Sequence, residues 1–278
     1  MNSVKFSLYS AGYCTASRAH VLRGSAGKTI RFYATYGLIK HPEKGYVLFD
    51  TGYTTRFYEH TKTFPFNLYA KATKVYVNEE DHVIYKLAKE GIKPSDIKYI
   101  IISHFHADHI GGLLDFPNAQ FICTRNAYED IRNRRGFSAV RRGFIPNLMP
   151  VDFEKRATLI DITKSAKTDS FLGKMYDLFA DGSIYLYRVE GHARGQIGAL
   201  LTTTEGNILL ISDAAWLKEN FENLHLPSPI VKLFFDSWSN YKRSLKNVHD
   251  YHKANPDTPI VPCHCETTYR KLTDDLVS

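Results

Sequence analysis

The segment SHFHADHIGG, residues 103–112, places three imidazoles and one carboxylate within six consecutive positions. Alternate side chains of an extended segment point to the same side, so His104 and His106 are expected to aim two nitrogens at one metal ion. Asp108 and His109 follow at once and suit a second ion. Single histidines are more often polar loop residues or hydrogen-bonded core residues than metal ligands. The rest of the chain must therefore decide between a metal centre and an ordinary loop.

Three later segments each place one metal-capable residue at the end of a predicted strand. His192 follows the alternating run SIYLYRVE, Asp213 follows the apolar run NILLI, and His264 follows TPIVPC. The histidine block itself follows KYIIIS, residues 98–103, whose β-branched side chains predict a buried strand. Proteins that combine helices with a parallel sheet usually place their chemistry at the carboxyl ends of strands. A shared metal centre therefore explains the pattern better than separate polar loops do.

These motifs resemble those of the metallo-β-lactamase superfamily of binuclear metallohydrolases over nearly the whole chain. The family's first motif, a strand ending in Asp-Thr-Gly, is present as VLFDTG at residues 47–52, and its His-x-His-x-Asp-His block is complete. The resemblance implies one metal held by three histidines, a second held by a carboxylate and two histidines, and an aspartate that bridges them. The residues at these positions are, in that order, His104, His106 and His192; Asp108, His109 and His264; and Asp213.

Asp50 has no place in that ligand set. By the same resemblance its role is to hydrogen-bond ligand imidazoles and so fix their tautomer and orientation. Taken alone, an Asp-Thr-Gly bend is equally well explained as a turn.

Two metal ions about 3.5 Å apart imply hydrolysis, because a bridging water loses its proton near neutral pH and the metals polarise the oxygen under attack. Asp108 is the expected catalytic residue, since a carboxylate beside the bridging hydroxide can pass its proton to the leaving group. Zinc is the expected metal for both ions. Mixed histidine and aspartate ligation also accepts manganese, iron or cobalt.

Composition agrees with one catalytic domain. Hydrophobic residues make up 44% of the 278 residues and charged residues 23%, with a net charge of +7, which is an ordinary globular balance. Because the motifs are spread from Asp50 to His264, we predict a single hydrolase domain over residues 1–278. The sequence has no apolar run long enough for a membrane span and no convincing signal core, so we expect a cytoplasmic protein with no membrane contact.

The four cysteines, Cys14, Cys123, Cys263 and Cys265, fit no disulfide framework, which agrees with a reducing compartment. Two of them flank His264. Neighbours on an extended segment point away from each other, so Cys263 and Cys265 are expected to face away from the metals and to be structural.

The remaining pattern alternates strands and helices. Predicted strands cover residues 4–9, 30–38, 45–50 and 258–262, and predicted helices cover 81–90, 124–134 and 239–254. In the superfamily this order corresponds to an α+β four-layer αβ/βα sandwich, in which two facing sheets carry helices outside and the ligands gather along one edge.

An aromatic insertion at about residues 53–80 follows the first motif and is too long for a simple connector. It is expected to form a hydrophobic wall or lid over the metals, with Phe64 and Phe66 receiving an apolar substrate tail. The alternatives are an elaborated loop packed on its own domain, or a contact in a homodimer. The sequence leaves monomer and homodimer open.

The stretch NRRGFSAVRRGF, residues 133–144, interleaves four arginines with two phenylalanines. Such a pattern can bind nucleic acid or capture a small anion, but it is more often a solvated face. Because the charge excess is modest, nucleic acid is not an expected partner. A small-molecule substrate with an apolar acyl part fits better.

Among the superfamily's branches, the N-acyl homoserine lactonases resemble this chain best, and their activity is quorum quenching. DAAWLKENFEN, residues 213–223, is similar to a lactonase pattern with Asp-Ala, a tyrosine and then Lys-Glu-Asn-Phe. Trp216 replaces that tyrosine and is the third candidate substrate contact; an indole N–H donates a hydrogen bond but is not an acid. GHARGQIG, residues 191–198, also departs from the usual Gly-His-Thr-Pro-Gly-His.

Rival functions remain within the same fold. A phosphodiesterase or ribonuclease carries a similar histidine block, and a glyoxalase II-like thioesterase uses the same metals. A non-catalytic metal-binding scaffold is a weaker alternative, because scaffolds of this family usually have eroded ligand sets.

Overall fold

A computed structural model describes residues 2–274 of the chain. Within these residues the chain forms two sheets. The strands are β1 Lys5–Ser17, β2 Thr29–His41, β3 Gly45–Phe49, β4 Lys74–Tyr76, β5 Ile97–Ile101, β6 Gln120–Thr124, β7 Ala157–Ile160, β8 Thr168–Asp169, β9 Gly173–Asp177, β10 Ile184–Arg188, β11 Ile197–Thr203, β12 Gly206–Ser212 and β13 Ile260–Pro262.

Most helices of this region are short, and α10 is the longest. They are α1 Arg18–Val21, α2 Arg56–His60, α3 Phe66–Ala72, α4 Val83–Lys89, α5 Ala107–Ile110, α6 Arg125–Ile131, α7 Gly136–Val140, α8 Phe153–Arg156, α9 Lys218–Glu222, α10 Trp238–Ala254 and α11 Glu266–Asp274. Short 3-10 helices occupy Glu79–Asp81, Pro94–Asp96, Leu113–Asp115, Pro146–Leu148, Ile162–Lys164 and Pro229–Phe234. No helix in this part of the chain combines the length and the apolar character that crossing a membrane requires.

The first sheet has the strand order β4-β1-β2-β3-β5-β6-β7, and the second has the order β13-β12-β11-β10-β9-β8. In the first sheet β3, β5, β6 and β7 run parallel, and in the second β12 and β13 do. Parallel strands end at the same edge, so residues that follow β3 and β5 come together there.

Apolar side chains of the two sheets meet in a buried layer between them. Ile39, Val47 and Ile101 come from the first sheet, and Leu186 and Leu210 from the second. Larger apolar side chains on the outer faces pack under the helices. The result is helix, sheet, sheet and helix, so the predicted four-layer sandwich is confirmed.

Polar contacts also join the two sheets. Asp181, which precedes β10, accepts a hydrogen bond from Nε2 of His41 in β2 at 2.8 Å. Its other oxygen accepts a hydrogen bond from the hydroxyl of Ser183 at 2.6 Å. The Asp181 carboxylate therefore links the far end of β2 to the start of β10.

Most predicted elements are present with shifted ends, and one is divided. The helix predicted over 81–90 is a 3-10 turn followed by α4, because His82 has an extended backbone (ψ 144°) between them. The first strand continues from the predicted 4–9 as far as Ser17 through an irregularity in its pairing with β2. Periodicity marks a strand's apolar face, but it does not show where a long hairpin stops pairing.

The aromatic insertion is folded rather than loose. It contains α2, α3 and β4, and β4 pairs with β1 at the edge of the first sheet through Tyr13 and Tyr76. Tyr53 and Phe57 are buried within the main core. The segment is therefore partly an extension of the sheet, and its outer helix remains available as a wall beside the site.

Candidate metal centre

The candidate ligands come from both sheets and meet at one edge of the sandwich. The histidine block follows β5, with Asp108 and His109 on α5. The later ligands follow β10, β12 and β13 of the second sheet. Of the seven predicted ligands all but His106 are buried, and His106 is partly buried.

Three imidazoles form what we call the histidine cluster: His104, His106 and His192. One ring nitrogen from each lies within 4.8 Å of the others, and His192 Nε2 lies 3.0 Å from His106 Nδ1. Burial lowers the pKa of His106 to about 4 and that of His192 to about 3, and it lowers the pKa of His104 well below its usual value. At neutral pH these imidazoles are neutral, which is the form that binds a metal.

Four further groups form what we call the mixed cluster: His109, Asp213, Cys263 and His264. Their donor atoms also lie within 4.8 Å of one another. Asp213 faces both imidazoles, with Oδ1 3.3 Å from His109 Nε2 and Oδ2 3.2 Å from His264 Nε2. Asp108 lies beside the mixed cluster, with Oδ2 3.5 Å from His109 Nε2 and 3.6 Å from His264 Nε2.

Asp213 also lies between the two clusters. Its Oδ2 is 3.1 Å from His192 Nε2 of the histidine cluster and 3.2 Å from His264 Nε2 of the mixed cluster. A single carboxylate therefore contacts both groups, and its role as a bridge between two metal ions stays a prediction.

Hydrogen bonds behind the mixed cluster orient its imidazoles. Asp50 Oδ2 lies 2.8 Å from His109 Nδ1, and the Tyr33 carbonyl lies 2.7 Å from His264 Nδ1. Each oxygen accepts a hydrogen bond from Nδ1–H, which leaves Nε2 facing the cluster. Asp50 itself adopts a left-handed backbone (φ +63°) at the end of β3, which turns its carboxylate toward the histidine block.

Ser103 extends this support to the histidine cluster. Its backbone N–H and its hydroxyl each donate to Asp50 at 2.8 Å, and the hydroxyl oxygen lies 3.1 Å from His104 Nδ1. Ser212 donates to the Ser103 hydroxyl at 2.9 Å. One buried network thus fixes ligands of both clusters.

The unpaired imidazole nitrogens test whether these residues fit a metal. Nε2 of His104 and Nε2 of His109 are buried and have no hydrogen-bond partner among the described residues. Buried polar atoms normally have partners, and leaving one unpaired costs free energy. Imidazole nitrogens pointing into a group of carboxylates and further imidazoles are suitable ligands for a divalent ion, so the residues fit the group that the family implies.

The mixed cluster differs electrostatically from its neighbour. Burial lowers the pKa of His109, but the negative charges beside it, Asp108 first among them, raise it by more. The net pKa lies well above its usual value. In the same way burial lowers and Asp213 raises the pKa of His264, with a net increase. Burial raises the pKa of Asp213, but His264 holds it well below its usual value.

Cys263 corrects the sequence prediction. β13 ends at Pro262, and residues 263 and 264 form a turn, so the alternation of an extended segment does not apply to them. The thiol of Cys263 therefore lies on the same side as His264 and donates to Asp213 Oδ1 at 2.7 Å. Burial and the charge of Asp213 raise the pKa of this thiol well above its usual value. Cys265 is buried in the apolar core, as expected of a structural cysteine.

Trp216 lies against the centre, but its polar group already has a partner. The indole N–H donates to Asp213 Oδ2 at 2.9 Å, and the ring packs edge-on against His192 and Phe235. Only 9% of the residue is exposed. Its contact is therefore with a candidate ligand, and its predicted contact with substrate stays a prediction.

The two predicted aromatic contacts from the insertion lie farther out. Phe64 is 66% exposed and meets Phe137 of α7 edge to face, with ring centres 5.0 Å apart. Phe66, at the start of α3, is partly buried against the core. The insertion and the arginine-rich stretch thus touch each other.

The arginine-rich stretch closes one side of the centre. A Cβ at Gly143, whose φ is +58°, would lie 2.8 Å from the His106 ring, so this close approach needs glycine. Arg142 forms ion pairs with Asp130 at 3.0 Å and with Asp236 at 2.9 Å. Its charge is therefore already partnered, and it serves the local structure.

A recess beside the histidine cluster is lined by His106, His192, Arg142 and Phe234. Phe234 belongs to a 3-10 helix that also exposes Ile230 and Leu233. The centre is therefore bordered by exposed apolar side chains.

Sequence reasoning missed three supporting groups: Ser103, Ser212 and the Tyr33 carbonyl. Both serines directly precede a predicted ligand, which is the only signal that the sequence carries for them. The sequence carries no signal for the Tyr33 carbonyl, because every residue has a backbone carbonyl.

Comparison with known families agrees with this geometry. Residues 30–254 match the family model described as the metallo-beta-lactamase superfamily, and the chain belongs to that superfamily. The match ends before His264, so its place beside Asp213 comes from the structure.

Curated relatives carry lactonase names. An N-acyl homoserine lactonase AttM of Agrobacterium fabrum is 27% identical over 231 residues, covering 82% of this chain and 80% of the relative. An N-acyl homoserine lactonase of Bacillus cereus is 27% identical over 214 residues, covering 77% and 76%.

Solved structures share the fold. An N-acyl homoserine lactone hydrolase with the product N-hexanoyl-L-homoserine at its catalytic metal center has a TM-score of 0.72 at 23% identity, covering 98% of this chain and 97% of that one. AidC, a dizinc quorum-quenching lactonase, has a TM-score of 0.65 at 16% identity, covering 96% and 89%.

Proposed function

We propose that this chain is a metal-dependent hydrolase that opens lactones or esters carrying an apolar acyl part, with N-acyl homoserine lactones as the substrate class. The observation that carries the proposal is the seven-residue set around Asp213, whose nitrogens and carboxylates converge from both sheets. The curated lactonase names support the substrate class.

In this proposal the histidine cluster holds one divalent ion and the mixed cluster with Asp108 holds the other, with Asp213 between them. Two such ions, when bound, supply a water that is acidic near neutral pH and a positive charge that polarises a carbonyl. Zinc is the metal we expect for this ligand set.

Asp108 moves the proton in the proposed reaction. Its Oδ2 lies 3.5 Å from His109 Nε2 and 3.6 Å from His264 Nε2 and has no hydrogen bond to another described residue, so one carboxylate oxygen is available. It takes the proton of the attacking water as the new C–O bond forms. It returns that proton to the alkoxide that leaves when the ring C–O bond breaks.

Asp50 and the Tyr33 carbonyl keep His109 and His264 in the tautomers that present Nε2. The hydrogen bonds of Asp50 and Ser103 are buried, so they do not depend on a bound substrate. Second-layer contacts of this kind usually change metal affinity or activity by about 10–100-fold.

Apolar side chains near the centre support an acyl tail in the substrate. Phe64 of the insertion and Phe137 of α7 are largely exposed and contact each other, and Leu233 and Phe234 are exposed on the 3-10 helix Pro229–Phe234. Soluble domains seldom leave so many large apolar groups uncovered close to a site without a use for them. Trp216 donates to Asp213 instead of offering a free phenol, so ring opening proceeds here without the lactonase tyrosine.

A panel assay of the metal-loaded protein tests the proposal. The substrates are acyl homoserine lactones, S-acyl glutathione and bis-p-nitrophenyl phosphate. Lactone turnover with little phosphodiester cleavage is the expected result. Phosphodiester cleavage alone would assign the chain to the nuclease-like alternative, and thioester cleavage alone to the glyoxalase II-like one.

A further inference from the structure

The thiol of Cys263 is a buried donor that the family's ligand set does not use. It lies in the turn after β13, and its sulfur falls within 4.8 Å of donor atoms from His109, Asp213 and His264. The neighbouring Cys265 is also buried but packs among apolar side chains. The two cysteines that flank His264 therefore have different surroundings.

The Cys263 thiol, which donates a hydrogen bond to Asp213, lies among further donor atoms that could bind an ion with it. Asp213 Oδ2 already contacts His192, His264 and the indole of Trp216. Its Oδ1 faces the Cys263 sulfur at 2.7 Å and His109 Nε2 at 3.3 Å. That nitrogen has no hydrogen-bond partner in the described chain.

Two imidazoles, one carboxylate and one sulfur thus converge from three parts of the chain: α5, the end of β12 and the turn after β13. Four donors of nitrogen, oxygen and sulfur type match the tetrahedral coordination that zinc prefers. A thioether or an alkyl side chain could fill the same space, but only a thiol adds a soft, ionisable donor.

We propose that Cys263 supplies a thiolate ligand to the ion in the mixed cluster. The inference rests on the proposed metal centre. The thiol loses its proton to solvent as the metal–sulfur bond forms, so charge and atoms balance without any oxidant. The sulfur replaces part of the ligation that the family pattern assigns to Asp108, and it leaves that carboxylate freer to move a proton.

A soft sulfur ligand also sets the metal preference of this cluster. It favours zinc or cobalt over manganese, which prefers oxygen ligands. The histidine cluster, made of three imidazoles, does not share this bias.

X-ray absorption at the zinc edge measures the proposed bond directly. In the zinc-loaded wild type we expect a sulfur neighbour at about 2.3 Å, beside nitrogen and oxygen neighbours at about 2.0–2.2 Å. Cys263→Ala and Cys263→Ser should lose the sulfur neighbour. Their affinity for the ion in the mixed cluster should fall at least about tenfold. Cys265→Ala is the matched control and should retain it.

The cobalt-substituted protein gives an independent readout, because a thiolate ligand adds a sulfur-to-cobalt charge-transfer band in the near ultraviolet. The band should be present in the wild type and in Cys265→Ala and absent in both Cys263 variants. Because the main observation is made on the wild type, an unfolded variant does not prevent the test.

The outcomes separate this inference from the proposed function. A wild type that binds two ions with nitrogen and oxygen neighbours alone would overturn the thiolate ligand and leave the hydrolase intact. A sulfur neighbour that persists in Cys263→Ala would also overturn it. A sulfur neighbour in a protein that opens no lactone would support the ligand and contradict the lactonase. Failure to bind any ion would overturn both.

Discussion

The histidine cluster and the mixed cluster adjoin each other, yet they are built on different principles. The first contains three imidazoles whose pKa values burial lowers, so they are neutral. The second combines imidazoles of raised pKa with Asp213, a thiol and the nearby Asp108. Neutral nitrogens hold an ion without contributing charge, whereas the mixed cluster contributes both negative charge and groups that exchange protons.

This difference indicates a division of labour. The histidine cluster is suited to a permanently bound ion, and the mixed cluster is suited to proton transfer beside the substrate.

The largest expected effect follows from replacing Asp108. Asp108→Asn should lower kcat at least about a hundredfold with the fold preserved, because it removes a charge and a proton acceptor. Steady-state kinetics and circular dichroism check this. Asp161→Asn, an exposed turn residue, is the control and should have normal turnover. Near-normal turnover of Asp108→Asn would remove that residue from the mechanism.

The next effect concerns how pH acts on the two clusters. We expect about two ions per chain at neutral pH. The raised pKa values of His109 and His264 mean that protons compete there first as the pH falls, whereas lowered pKa values protect the histidine cluster to lower pH. Elemental analysis after dialysis at stepped pH should show one ion lost before the other.

Two variants show which cluster loses its ion first. His264→Ala, which keeps the histidine cluster, should hold its ion to lower pH than His192→Ala does. Equal pH dependence in the two variants, or a single plateau at one ion in the wild type, would contradict the binuclear comparison.

A smaller effect concerns the acyl tail. Each buried methylene contributes about 0.8 kcal/mol, which is a factor of about four in kcat/KM. We expect kcat/KM to rise with tail length across homoserine lactones with short to long acyl chains. The dependence should flatten in Phe64→Ala and in Trp216→Ala. Phe171, which lies between β8 and β9 and packs on Tyr251, serves as the control in Phe171→Ala. A flat response in the wild type would remove the apolar wall from substrate recognition.

The smallest expected effect is on stability and concerns Asp181, which links the two sheets. Burial raises the pKa of Asp181, but hydrogen bonds from Ser183 and others lower it, to a net value of about 2. A carboxylate with a lowered folded-state pKa stabilises the fold above about pH 4, and that contribution is lost as the pH falls toward 2. Asp181→Asn should therefore lower the free energy of unfolding by about 1 kcal/mol at neutral pH and by less at acid pH. Urea titrations at both pH values measure this, and an equal loss at both would exclude the linkage.

The convergence of the candidate ligands was predictable because side-chain type and strand ends carry the information. His104, Asp213 and His264 follow apolar runs that fold as buried strands, and the structure brings them together. Cys263 was not predictable in the same way, because its direction depends on a turn at residues 263 and 264 rather than on strand alternation. The partner of Trp216 was equally hidden, since it depends on the distance between an indole and Asp213 in space.

The candidate ligands come from both sheets, which connects metal binding to the stability of the folded chain. One set of candidate ligands follows β5 in the first sheet and the other follows three strands of the second, so two ions bound as proposed would cross-link the halves of the sandwich. An ion that binds only the folded chain stabilises it by about 2.7 kcal/mol when its free concentration is a hundred times its Kd. When metal is scarce, the chain would therefore be degraded faster by proteases as well as lose activity. The amount of the protein in the cell would then follow the metal supply.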